Sequence, residues 1–103
     1  MKVVWTSKAK TAVRQTIKYI ETNFGRRSVL EFADAVAASE GYLSAHPYIG
    51  KTEPLLDGRS FMYRCLIVKR LNKIIYYIDN DNIIIADFWN LRQSPKNLQQ
   101  RVK

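Results

Sequence analysis

Six side chains in the second half of this sequence are of types that could handle a phosphodiester. Arg64 and Lys73 sit inside runs of β-forming residues, Arg59, Lys69 and Arg70 sit at the ends of those runs, and Tyr77 lies four residues after Lys73. A guanidinium binds phosphate oxygens in a bidentate fork. A lysine in a suitable environment acts as a general base, and a tyrosine ring stacks on a base. Cations without a metal suit cleavage of RNA by its own 2′-hydroxyl, because the nucleic acid supplies the nucleophile. The protein then has only to orient it, stabilise charge on the phosphate and move protons. The same residues would serve binding without catalysis equally well.

Other catalytic kits are absent from the sequence. There is no G-x-S-x-G, no P-loop and no dinucleotide fingerprint. The single histidine, His46, stands next to Pro47 at an expected helix end, where capping or packing is its natural role. One cysteine, Cys65, rules out a disulfide framework and a cysteine zinc site. Asp79 and Asp81 flank a turn, where short polar side chains bond locally. Neither a metal nor a cofactor is expected.

The chain has 103 residues, 47% hydrophobic and 25% charged, which is one folded domain over 1–103 with a polar tail from about residue 94. No apolar run approaches the length of a membrane span, and the N-terminus has no secretory h-region. A cytoplasmic protein is expected. The net charge is +8. Residues 59–103 hold nine Lys/Arg and three Asp/Glu, against eight and six in residues 1–58. That asymmetry favours a polyanionic partner: nucleic acid, ribosome or an acidic protein.

The elements that must position these side chains read as β-α-α-β-β-β. Val3-Val4-Trp5 is a short strand, and Thr6 or Ser7 caps a helix whose apolar stripe runs from Ala9 to Phe24. Gly25 ends it. Ser28 to Glu31 fits a capping box for a second helix, with a start already at Arg26-Arg27 as the alternative, and Pro47 forces that helix to stop near Leu43 to Ala45. Residues 47–58 form a loop. Strands follow at 61–68, 73–78 and 83–89, joined by short turns and therefore antiparallel. The expected fold is α+β: a helical hairpin packed on one face of a four-stranded, mainly antiparallel sheet.

Side-chain alternation assigns faces. The sets Phe61, Tyr63, Cys65, Ile67 and Ile74, Tyr76, Ile78 are the most apolar and are expected to meet the helices. The open face then carries Met62, Arg64, Leu66 and Val68 beside Lys73, Ile75 and Tyr77. A mixed apolar and basic open face reads as a partner surface.

The order of these features resembles the RelE/ParE superfamily of bacterial type II toxin–antitoxin toxins. The resemblance runs over roughly residues 3–96. It is carried by Val4-Trp5-Thr6-Ser7-x-Ala9, Ile17-x-Tyr19-Ile20, Leu43 with Pro47 and Gly50, Gly58-Arg59, Ile74 to Asp79, and Trp89 to Gln93. It implies a plasmid-stabilising toxin neutralised by an acidic antitoxin, with two kinds of activity in the family. RelE-like members cut ribosome-bound mRNA without a metal, and ParE-like members inhibit DNA gyrase. A basic binding module that poisons nothing is a further alternative. By position the resemblance makes Arg64, Lys73 and Arg92 the catalytic set, with Arg59, Lys69, Arg70 and Tyr77 touching substrate. An antitoxin segment over the open face would bury Met62, Leu66 and Ile75. The terminal Tyr or His-Tyr of many RNase members has no counterpart after Arg92, where Gln93-Ser94-Pro95 follows.

Overall fold

The computed structural model describes residues 1–90. Arg92 and the polar tail lie outside the described residues. Strand β1 (Lys2–Trp5) leads into helices α1 (Ser7–Phe24) and α2 (Arg26–Ala45). Strand β2 (Lys51–Thr52), a 3-10 turn (Pro54–Leu56), and strands β3 (Arg64–Val68), β4 (Asn72–Asp79) and β5 (Asn82–Asn90) follow. The sheet order is β1-β5-β4-β3-β2. β1 runs parallel to β5, and the other neighbours are antiparallel.

The sheet thus has five strands rather than the expected four. The extra strand is β2, which pairs Lys51 with Cys65 and Thr52 with Arg64. Two exposed polar residues leave no alternating pattern to read.

Thr6 explains where α1 begins. Its side-chain oxygen accepts from the Ala9 N–H at 3.2 Å, and its hydroxyl donates to the Ile85 carbonyl at 2.8 Å. One residue thereby caps the helix and ties it to the middle of β5. Thr6→Val keeps the shape and removes both bonds, so it should cost about 1–2 kcal/mol in a urea melt.

Gly25 separates the two helices by itself. Its φ of +88° suits a residue without Cβ, and its N–H returns to the carbonyls of Ile20 and Glu21. Because the turn is complete within one residue, α2 starts at Arg26, the earlier of the two starts the sequence offers. The Ser28 hydroxyl instead donates to the Phe24 carbonyl at 3.4 Å. At the other end α2 stops at Ala45, just before His46-Pro47.

Two apolar clusters form, one on each face of the sheet. Ala9, Ala12, Phe32 and Leu43 from the helices meet Val68, Ile74, Tyr76, Ile83, Ile85 and Phe88. Phe32 and Phe88 touch edge to face at 5.7 Å between centroids. On the opposite face Leu56, Tyr63, Ile75 and Trp89 are buried together, with Leu55, Cys65, Tyr77 and Ala86 against them.

This arrangement corrects the face assignment of β3. Leu66 and Val68 face the helices, Tyr63 and Cys65 lie on the other side, and Ile67 is 52% exposed. Both alternating sets of β3 are largely apolar, so composition alone does not choose between them. Pairing with β4 chooses: Leu66 sits opposite Ile74, and Cys65 opposite Ile75. For β4 the expected set of Ile74, Tyr76 and Ile78 does face the helices. The face away from the helices is also not open, since the chain's own Leu55, Leu56 and Tyr63 pack on Ile75 and Trp89.

Candidate functional site

The sequence brings Arg64 and Lys73 together on one face, and the structure separates them. Arg64 is paired with Tyr76, on the helix side of the sheet. Lys73 is paired with Ile67 and Trp89, on the other side.

Each of the two cations is already engaged. The Arg64 guanidinium donates through Nη1 to the Gly50 carbonyl at 2.8 Å and the Tyr48 carbonyl at 3.4 Å. Its Cζ lies 5.3 Å from the centre of the Tyr48 ring. Tyr76 holds the same loop from inside. Its hydroxyl accepts from the Gly50 N–H at 2.9 Å and donates to the Pro47 carbonyl at 2.9 Å. Burial pushes the Tyr76 phenol above its usual range, while the Gly50 amide and Arg64 pull the other way. Arg64 and Tyr76 therefore form a clasp on residues 47–50.

Lys73 forms an ion pair with Glu53, and both side chains are buried. Glu53 directly precedes the 3-10 turn, and its N–H donates to the Tyr63 carbonyl at 2.8 Å. The pair thus pins the segment that covers the sheet. Cys65 lies near it. Burial raises the Cys65 thiol pKa, Glu53 adds to this, and Lys73 and Lys51 oppose it. A thiol held protonated is a poor nucleophile. Its expected helix-facing position is corrected, but it remains a half-buried packing residue.

The remaining expected residues scatter. Arg59 is half-buried in the loop before β3. Lys69 and Arg70 form the β3–β4 turn, with φ of +51° and +67°. Lys69 reaches Glu31 on α2 at 3.8 Å. Tyr77 has one ring face stacked on Phe61 at 4.0 Å and a contact with Tyr63 at 5.4 Å. Burial raises its phenol pKa, with Tyr63 and Asp79 contributing. Among the three expected antitoxin contacts, Met62 is 66% exposed, Leu66 lies on the helix side and Ile75 is fully buried on the other. They do not form one surface. Arg92 lies outside the described residues. The sequence gives Glu53 no role and marks Gly50 only within the family resemblance, because both sit in a segment without periodicity. Among the described residues no cluster of His, Cys, Asp or Glu could hold a metal ion.

Residues 3–95 match the family model described as the ParE toxin of the type II toxin–antitoxin system, parDE. The chain belongs to the ParE toxin family. A solved structure, the chromosomal ParDE toxin–antitoxin system from P. aeruginosa, is similar with a TM-score of 0.72 and 16% identity, over 88% of this chain and 96% of that one. No curated protein matches the sequence. At that identity the structural likeness speaks for the fold, which agrees with the resemblance read from the residues.

Membership in the ParE toxin family implies an antitoxin partner. For a ParE-family toxin the geometry is informative about chemistry. The arginine clasp and the buried lysine pair are devices that hold loops onto the sheet. Among the described residues no helix is long and apolar enough to cross a membrane.

Proposed function

We propose that this ParE-family toxin acts as a protein-binding inhibitor, of the kind that targets DNA gyrase, and not as an mRNA endonuclease. The observation that carries this reading is the placement of the two expected catalytic cations. Arg64 is spent on the carbonyls of residues 48 and 50, and Lys73 on buried Glu53 across the sheet. Charge stabilisation of a phosphorane needs donors that converge on one point. Tyr77, the candidate base-stacking residue, already has Phe61 against its ring. A binding module needs none of that convergence, only a surface.

The test uses the unmodified chain in two purified systems. Added to gyrase and relaxed plasmid, it should block supercoiling in proportion to its concentration, and its antitoxin should restore it. Added to translating ribosomes, it should leave the 5′ ends of mRNA unchanged. New cuts in translated mRNA with supercoiling untouched would establish the endonuclease instead.

A further inference from the structure

Between α1 and α2 runs a groove of about 410 Å³. Val13 and Ile17 of α1 and Phe32 and Val36 of α2 line it. Trp5 stands at one end, its indole N–H donated to Glu40 Oε1 at 2.7 Å. The α2 wall is low, because Ala33 and Ala37, one turn apart, line it there and both are exposed. Val13, Ile17 and Val36 are only half-buried, so solvent reaches the floor along the groove. By a rise of roughly 1.5 Å per residue, the lining stretches 10–17 and 32–40 run about 10–12 Å, or two helical turns.

The charge of this groove is one-sided. Lys10 and Arg14, one turn apart on α1, line it and are exposed. Among the described residues neither has a carboxylate within ion-pair distance. Arg14 Nη2 donates to the Thr11 hydroxyl at 3.3 Å. Lys18, also exposed, extends the row by another turn. Glu40 is the one acid in the lining, and the Trp5 indole holds it. A row of cations without counter-charge beside an apolar floor calls for an occupant with an apolar stripe and acids along one flank.

Charge also decides among occupants. Residues 91–103 hold Arg92, Lys96, Arg101 and Lys103 and no acid, so the chain's own tail would meet like charge here. A second copy brings its own net charge of +8. An acidic partner meets neither obstacle. Its shape follows from the spacing. Residues four apart on a helix stand about 5–6 Å apart on one face, which is the spacing of the α1 cations themselves.

We infer that this groove seats an acidic amphipathic helix of the protein that the toxin inhibits. Apolar side chains three and four apart on that helix enter between Val13, Ile17 and Val36, and its carboxylates meet Lys10, Arg14 and Lys18. The inference rests on the protein-binding reading above and supplies the surface that reading needs.

Two measurements test it. In the first, the isotope-labelled chain is titrated with a synthetic amphipathic helix of about five turns and followed by NMR. The peptide carries leucine every three or four residues and glutamate on the flanks. Saturable shifts should centre on Val13, Ile17, Ala33, Val36 and Ala37. The same peptide with lysine in place of glutamate should bind at least tenfold more weakly. Lys10→Glu combined with Arg14→Glu should reverse that preference, and Ala33→Phe should block both peptides. Shifts that do not saturate, or that centre on the sheet, overturn the inference. So do nuclear Overhauser contacts from these residues to residues 91–103, or to a second copy, in the peptide-free chain. In the second, the Lys10→Glu and Arg14→Glu chain is added to gyrase and relaxed plasmid. Both positions are exposed, so the melting temperature should hold, while inhibition of supercoiling should fall at least tenfold. Undiminished inhibition overturns the docking role. A wild-type chain that leaves supercoiling untouched sinks the gyrase reading, and the peptide titration then decides the groove by itself.

Discussion

Glu53→Ala should destabilise the protein by about 3–5 kcal/mol, because it leaves the Lys73 ammonium buried without its counter-charge. In a chain of this size that corresponds to a drop of more than about 12 °C in melting temperature. The magnitude comes from desolvation. The mutual attraction of a buried pair is largely offset by the loss of water around each ion, so the intact pair adds little net stability. Removal of one partner leaves the other's desolvation unopposed. The double variant Glu53→Leu with Lys73→Met should therefore lose much less than the two single variants combined. Denaturant melts of the four proteins measure the difference directly. Additive losses would mean that the two side chains do not interact as described.

The same result governs how toxicity experiments on this chain are read. Lys73→Ala leaves a buried Glu53 carboxylate unpaired, so lost toxicity would follow from a lost fold. In an RNase of the RelE type the same variant loses a catalytic group. A melting curve separates the two: loss of toxicity with unchanged stability would argue for catalysis and against the structural role.

How much of this was legible in the sequence depended on whether a local signal existed. Gly25 and Pro47 bound the helices because a left-handed turn and a missing N–H act on their own neighbours. On β4, Ile74, Tyr76 and Ile78 identify the buried face by alternation. On β3 both alternating sets are apolar, and the choice comes from its register with β4, a contact made across the sheet. The error there moved Arg64 to the wrong face and created an apparent meeting with Lys73. Glu53 and Gly50 carry no periodic signal at all. Their roles come from Lys73 and Tyr76, 20 and 26 residues further on. Residue types and order are local to the sequence, while the faces that separate Arg64 from Lys73 are set by long-range pairing.

Gly50→Ala should be the second large effect, at least about 3 kcal/mol, and it tests the clasp from the opposite direction. Gly50 is not at positive φ, so its backbone would accept alanine. Space is the obstacle. A Cβ there would stand 2.5 Å from the Tyr76 hydroxyl oxygen, 2.6 Å from the Cys65 carbonyl oxygen and 2.8 Å from Tyr76 Cε1. None of these can yield cheaply. Tyr76 is fully buried with both hydrogen bonds made, and the Cys65 carbonyl belongs to β3. Gly41→Ala provides the contrast, since nothing lies within 4 Å of its added carbon and it sits inside α2. It should stabilise by about 0.5–1 kcal/mol. Tyr76→Phe should not rescue Gly50→Ala, because the ring carbon and the β3 carbonyl remain in the way. The consequence also spreads along the chain. Lys51 and Thr52 follow Gly50 directly and pair with β3, and Glu53 comes next. A displaced Gly50 pulls β2 from the sheet edge and Glu53 from Lys73, so the variant should expose the Ile75 and Trp89 cluster as well. Faster hydrogen exchange at Tyr63 and Ile75, with α1 still protected, would be the expected pattern. A fully protected sheet would show that the clasp and the buried ion pair are independent.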